Sequence, residues 1–190
     1  MHLSALRRYA TASFAALYLM LTGAAVHAAV DPHETAEVFG WVEWTYIEPH
    51  HIHVKTKLDS GAKTSSLSAV DIERFERDGA TWMRFHVPIS ASDGGTEQAQ
   101  LIAMERKLER EVLIKRHGGG PSRRPVVVIS VCLGGHSFDT PVTLTDRSRF
   151  NYPLLLGRSA LRGRVLLDAG QTYINGAVEN CTPPTHHTRH

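Results

Sequence analysis

The residues best placed to do chemistry sit in two short strings, Leu58-Asp59-Ser60-Gly61-Ala62 and Leu154-Leu155-Leu156-Gly157-Arg158, each closing a hydrophobic, strand-like run. In the first, Asp59 leaves an extended segment, Ser60 supplies a hydroxyl, and Gly61 lets the backbone bend closely around the acid. A carboxylate fixed on a tight turn is suited to moving protons, although an ordinary polar turn is the commoner use of the same tripeptide. The second string is a buried apolar run that exits sharply at Gly157 and presents one cation, Arg158. Other chemistries find less support. His50, His51 and His53 form a loose cluster in which His51 and His53 share a strand face and His50 opposes them, and no His-Glu-x-x-His string accompanies them. A solvated strand start accounts for these histidines better than metal ligation, so no metal site is expected. The sequence has no Gly-x-x-x-x-Gly-Lys-Ser/Thr loop for a nucleotide, and no cofactor is expected.

Taken in this order, the two strings resemble the retropepsin-like aspartic peptidases, marked by Asp-Thr/Ser-Gly-Ala and, later, by aliphatic residues followed by Gly-Arg. A closer resemblance runs from Gly40 to about Ile174, carried by Lys57 to Leu67, Arg124-Pro125-Val126-Val127, Leu144 to Ser148, and Tyr152 to Arg158. It is to the bacterial retropepsin-like family once labelled "ATP-dependent zinc protease" and associated with ATP-grasp ligases that add glutamate. The resemblance implies an aspartic endopeptidase acting on peptide or isopeptide bonds, with Asp59 as the catalytic acid and base. Such enzymes need two carboxylates close enough to share a proton. This chain holds one Asp-Ser-Gly, and neither Asp146 nor Asp168 is followed by Ser/Thr-Gly, so the second Asp59 would come from another copy in a C2 homodimer.

On the same resemblance Ser60 would bond across the dimer, Gly61 and Ala62 would support the catalytic turn beside substrate, and Gly157 and Arg158 would pack near it. The glycine run His117-Gly118-Gly119-Gly120, counted back from Leu156, would fall at the flap that closes over bound peptide. Arg116, Arg123 and Arg124 flank that run and would either attract acidic substrate or form a solvated rim. In viral relatives an acidic residue follows the Asp-Thr-Gly-Ala block and pairs with the arginine of Gly-Arg. Here that position is Lys63, so Asp146 or Asp168 is expected to receive Arg158 instead. Two alternatives are a catalytically silent barrel that binds peptide or protein, and a zinc-dependent hydrolase built on the histidines.

The elements that position these strings follow from pattern. Residues 1–28 combine Arg7 and Arg8, an apolar run from Ala10 to Ala25, and Val26-His27-Ala28, which fits a cleavable secretory signal and a secreted or periplasmic chain. Membrane contact is then expected only through an uncleaved signal. Loss of Arg7 and Arg8 with that segment leaves 19 basic against 19 acidic side chains, which gives no reason to expect a nucleic-acid partner. With 190 residues, 42% of them hydrophobic, one core and one domain are expected: a linker at 29–38, the retropepsin-like domain at 39–176 and a flexible tail at 177–190.

Strands are predicted at Phe39 to Ile47 and His51 to Leu58, then a hairpin of Val70 to Glu76 with Thr81 to Ile89 turning at Asp78-Gly79. Ala91 to Thr96 is a loop. Residues 97–116 are ambiguous, with helical spacing at Leu101, Met104, Leu108 and Val112 and a strand favoured from Arg110 to Arg116. Further strands are expected at Pro125 to Leu133, Ser137 to Leu144 and Tyr152 to Leu156, with a short helix at Arg158 to Leu161. A last hairpin pairs Val165 to Asp168 with Gln171 to Ile174. Many short strands with glycine-bearing turns indicate a small closed all-β barrel with one short C-terminal helix. Cys132 and Cys181 could pair in an oxidising compartment and pin the tail, but spacing alone does not decide it.

Overall fold

The computed structural model describes residues 36–90, 99–116, 119–178 and 181, without the side chains of 115, 116 and 119. The signal segment, most of the linker, the loop at Ala91 to Thr96, His117, Gly118 and most of the tail lie outside the described residues.

The described chain forms β1 (Glu37–Glu48), β2 (Ile52–Asp59), β3 (Ser65–Ser68), β4 (Val70–Arg77), β5 (Ala80–Ile89) and β6 (Gln100–Arg116). It continues through β7 (Gly119–Leu133), β8 (His136–Thr145), β9 (Leu154–Gly157), the helix α1 (Arg158–Leu161) and β10 (Val165–Thr172). The all-β class and the single short helix match the sequence. The architecture is one large sheet in the order β10-β1-β2-β9-β3-β8-β7-β6-β5-β4, and β1 also pairs with β7. Long β1 makes this possible: its first part runs parallel to β10, its middle pairs with β2, and Thr45–Glu48 pairs with Ser130–Leu133 of β7. The sheet therefore curls into a partial ring instead of the small closed barrel expected. The reason is the arm of β4, β5 and β6, whose hairpin pairings carry the sheet away from the ring.

Period-two patterning decides which faces meet. In β2, Ile52, Val54, Thr56 and Leu58 are buried while His53, Lys55, Lys57 and Asp59 are partly exposed. In β5, Met83, Phe85, Val87 and Ile89 face the core. They join Val127, Ile129 and Val131 of β7, Val142 and Leu144 of β8, and Leu154 and Leu156 of β9 in one hydrophobic cluster.

Three expectations change. The ambiguous stretch is strand from Gln100 onward, because β6 finds hydrogen-bonding partners on both edges, in β5 and in β7. Of the four residues at helical spacing only Met104 is buried, and Leu101 is 60% exposed. The strand expected at Pro125 to Leu133 begins earlier, since Gly119 and Gly120 of the glycine run open β7 and Gly119 pairs with Arg116. The final hairpin is instead one strand, β10, lying parallel to β1. That contact is so close at Gly40 that a Cβ there would stand 2.6 Å from the Gln171 carbonyl oxygen. The four-residue β3, held between β8 and β9, is an additional element that the sequence pattern did not indicate.

Cys132 of β7 is joined to Cys181 by a disulfide that closes a loop with a sequence separation of 49. The entropy removed from the unfolded chain by such a loop corresponds to about 4 kcal/mol. Reduction is therefore expected to lower the unfolding free energy by a few kcal/mol, read as a lower urea midpoint with reductant than without; identical midpoints would contradict it.

Candidate active site

Asp59 is the last residue of β2 and pairs in parallel register with Gly157 of β9, one step after Leu58 pairs with Leu156. Both leucines are buried, so the core fixes the point at which the acid emerges. The chain then turns back on the carboxylate. Asp59 Oδ1 accepts hydrogen bonds from the amides of Gly61, at 2.9 Å, and Ala62, at 3.2 Å. Gly61 suits this position because a Cβ would sit 3.1 Å from Oδ1, tighter than ordinary contact. The other oxygen, Oδ2, is 3.0 Å from Lys57 Nζ.

The second string locks onto the first. Arg158 Nη1 donates to the Ser60 carbonyl at 2.8 Å and the Gly61 carbonyl at 2.9 Å. Its own amide donates to Ala62 O at 2.9 Å, while the Ser159 amide and hydroxyl donate to Lys63 O at 3.2 and 2.8 Å. Between them Gly157 lies flat against the turn: a Cβ there would stand 2.6 Å from Thr64 O and 2.7 Å from Thr64 C. The Gly157 amide donates to Ser65 Oγ at 3.1 Å, which attaches β9 to β3 as well.

Burial works to push the Asp59 carboxyl up, but the Lys57 hydrogen bond, the Gly61 amide, the Lys57 charge and the Ala62 amide together outweigh it. The net result holds Asp59 below the usual carboxylate range. A carboxylate that is ionised, one-fifth exposed and fixed by two backbone amides can accept a proton from water at the mouth of the site.

Asp59, Ser60, Gly61, Ala62, Gly157 and Arg158 are thus brought together in one place. Arg158, however, is bound to carbonyl oxygens and not to Asp146 or Asp168. Asp146 Oδ1 accepts the Ser148 amide and Asp168 Oδ1 accepts the Gly170 amide, each at 2.8 Å. Ser60 is exposed. Of the flap candidates, Gly119 and exposed Gly120 stand at the base of the β6–β7 turn, and His117 and Gly118 are outside the described residues. Of the histidines, His51 and His53 both stack on Tyr46, and His51 Nδ1 lies 2.9 Å from Glu48 Oε1. Among the described residues no three of His, Cys, Asp and Glu converge as a metal site would require.

Sequence reasoning gave no role to Arg147, which the structure places at the junction of the site's supports. It is 7% exposed, and its Nε donates to Tyr152 O at 3.0 Å and its Nη1 to Ser66 Oγ at 2.7 Å. Its amide donates to Ser68 Oγ at 3.3 Å, and its guanidinium lies over the Phe150 ring. Burial pushes its pKa down and the Arg124 charge adds to this, while the Asp59 charge opposes both. In the sequence Arg147 lies within the Leu144 to Ser148 string that carries the resemblance, but its local setting is a polar turn, which usually marks solvent.

Arg147→Met, similar in length but without donors, would leave the Tyr152 carbonyl and the Ser66 hydroxyl unsatisfied. It is expected to cost about 3 kcal/mol of unfolding free energy. Arg147→Lys should recover only part of this, because an ammonium does not reproduce the planar fork. Urea denaturation of the three proteins checks both, and a wild-type midpoint for Arg147→Met would contradict the assignment.

A family model described as RimB-like, "Retropepsin-like aspartic endopeptidase RimB", matches residues 38–177. A probable alpha-L-glutamate ligase of Shewanella halifaxensis is 35% identical over 124 residues, covering 65% of this chain and 26% of the ligase. One from Desulfotalea psychrophila is 32% identical over 133 residues, covering 70% of this chain and 28% of the ligase. The chain thus corresponds to about a quarter of the length of these relatives. The crystal structure of a Legionella pneumophila protein of unknown function matches with a TM-score of 0.61 and 33% identity, covering 73% of this chain and 97% of that one. With the Asp-Ser-Gly turn locked to the Gly-Arg string inside the matched region, the chain belongs to the RimB-like family of retropepsin-like aspartic endopeptidases.

Proposed function

We propose that this protein is an exported aspartic endopeptidase whose catalytic pair is Asp59 from each of two identical subunits. The observation that carries this reading is the seating of Asp59: one oxygen is held by two backbone amides, and the turn is clamped by Arg158. A carboxylate held this way keeps its direction through a proton transfer, and fixed geometry is what general acid-base catalysis requires. The leader-like residues 1–28 support a secreted or periplasmic location, with membrane contact limited to an uncleaved leader.

In the pair, mutual repulsion keeps one proton between the two carboxyl groups. The unprotonated Asp59 takes a proton from water as the water oxygen bonds to the scissile carbonyl carbon, and the protonated Asp59 gives its proton to the carbonyl oxygen. The tetrahedral intermediate then collapses: one of its hydroxyls gives a proton back to the unprotonated Asp59, the C–N bond breaks, and the nitrogen leaves with the proton held by the other Asp59, so that the pair again shares one proton. These steps require two subunits and use no cofactor.

The substrate class is a peptide or isopeptide bond. Relatives named as glutamate ligases make glutamyl bonds the first to assay. Export would separate this chain from a cytoplasmic ligase, so glutamyl peptides are assayed beside a general unstructured protein.

The mature chain is expected to cleave one of these substrates between acidic and neutral pH, with chelator making no difference. Asp59→Asn should lower kcat by more than about a hundredfold. Chelator-sensitive activity that survives Asp59→Asn would contradict the proposal, and a monomer without cleavage would replace it with a peptide-binding fold.

A further inference from the structure

Lys57 and Asp59 stand two residues apart on β2 and project from the same face. Lys57 Nζ lies 3.0 Å from Asp59 Oδ2, and this is the only ion pair that Lys57 makes among the described residues. The two carboxylate oxygens are therefore divided. Oδ1 is committed to the turn through Gly61 and Ala62, and Oδ2, the oxygen left for chemistry, carries a cation on a flexible stem.

Among the described residues, the groups on the strands paired with Lys57 and Asp59 add no second carboxylate. On β1, the residue opposite Lys57 is Val42. On β9, the residues paired with Lys57 and Asp59 are Leu155 and Gly157. β3 carries only Ser65-Ser66-Leu67-Ser68. Among the described residues the charged neighbours named by contact or by charge are cationic: Arg158 at the start of α1 on the Ser60 and Gly61 carbonyls, exposed Lys63 in the turn, and Arg147 after β8, whose charge reaches Asp59. Arg124 of β7 in turn bears on Arg147. Arg158 and Arg147 are occupied with carbonyl and hydroxyl oxygens, so among the described residues Lys57 is the one cation paired with the acid.

We propose that Lys57 is a positioning residue for the catalytic acid: its ammonium is the resting partner of Oδ2, favours the ionised carboxylate, and releases that oxygen when the proton-sharing pair forms. The inference rests on the Asp59 reading and adds a regulation to it. A cation beside a carboxylate favours the charged form, so it moves each protonation of the pair to lower pH. Removing the cation must move each to higher pH. The bell-shaped activity profile would then shift bodily towards the alkaline side, with severalfold lower activity on its acidic limb and severalfold higher on its alkaline limb.

The test compares wild type, Lys57→Met and Lys57→Arg by two readouts. One is the carbon-13 NMR titration of the Asp59 carboxyl, which needs no turnover; the other is the pH dependence of kcat/KM. Asp59 is expected to titrate at higher pH in Lys57→Met and near the wild-type position in Lys57→Arg, with the activity profile moving alike. If Lys57→Met does not fold, the unmodified protein still answers, because added salt screens a part-exposed pair and must move the Asp59 titration upward. An Asp59 titration that ignores both the substitution and salt overturns the role of Lys57. Full activity in Asp59→Asn would instead overturn the endopeptidase reading, and the NMR titration would still decide about Lys57.

Discussion

A methyl group at residue 157 would have to occupy the space of the Thr64 backbone. That steric constraint joins two strings lying almost a hundred residues apart, because only glycine lets the end of β9 lie flat against the turn that follows Asp59. Once it does, the remaining contacts fall within hydrogen-bonding reach. Arg158 finds the Ser60 and Gly61 carbonyls, Ser159 finds Lys63 O, and Ser65 receives the Gly157 amide. The turn after Asp59 thus owes its shape to a backbone approach from elsewhere in the sheet, with the arginine acting as a bracket over it.

The electrostatics follow from the same geometry. Asp59 is paired with one cation, Lys57, while Arg158 and Arg147 spend their hydrogen bonds on carbonyl or hydroxyl oxygens and so shape the surrounding backbone more than they neutralise the acid. Arg147 performs this service for β3 and the segment before β9 from a nearly buried position. A buried guanidinium without a carboxylate partner is costly, and such a cost is usually retained where a group has work to do beside a site.

What could be read from the sequence reflects where local rules carry the information. Asp59-Ser60-Gly61 and Gly157-Arg158 were visible because a strand ending in a glycine-bearing turn is an arrangement of adjacent residues. β2 and β5 were visible as strands because alternation is local too. β3 was not visible, since Ser65-Ser66-Leu67-Ser68 holds one apolar residue and takes its place through hydroxyls: Ser65 to Gly157, Ser66 to Arg147, Ser68 to the Arg147 amide. β10 was misread as a hairpin because its partner, β1, lies more than a hundred residues earlier and accepts it at a glycine. The arm formed by β4 to β6 turned a barrel-like pattern into a larger curled sheet, since strand count and turn residues do not say which strands remain in the ring. Arg147 escaped because its partners are backbone and hydroxyl oxygens, for which no residue type in the sequence gives a sign.

The central claim is a catalytic pair assembled from two copies of Asp59. Its most direct test mixes wild-type and Asp59→Asn subunits in varying proportion, lets them exchange, and measures cleavage at constant total protein. If the pair is shared, only dimers with two intact subunits work, and activity falls as the square of the wild-type fraction. A fall in simple proportion to that fraction would mean that each chain carries a complete site of its own, and would contradict the account.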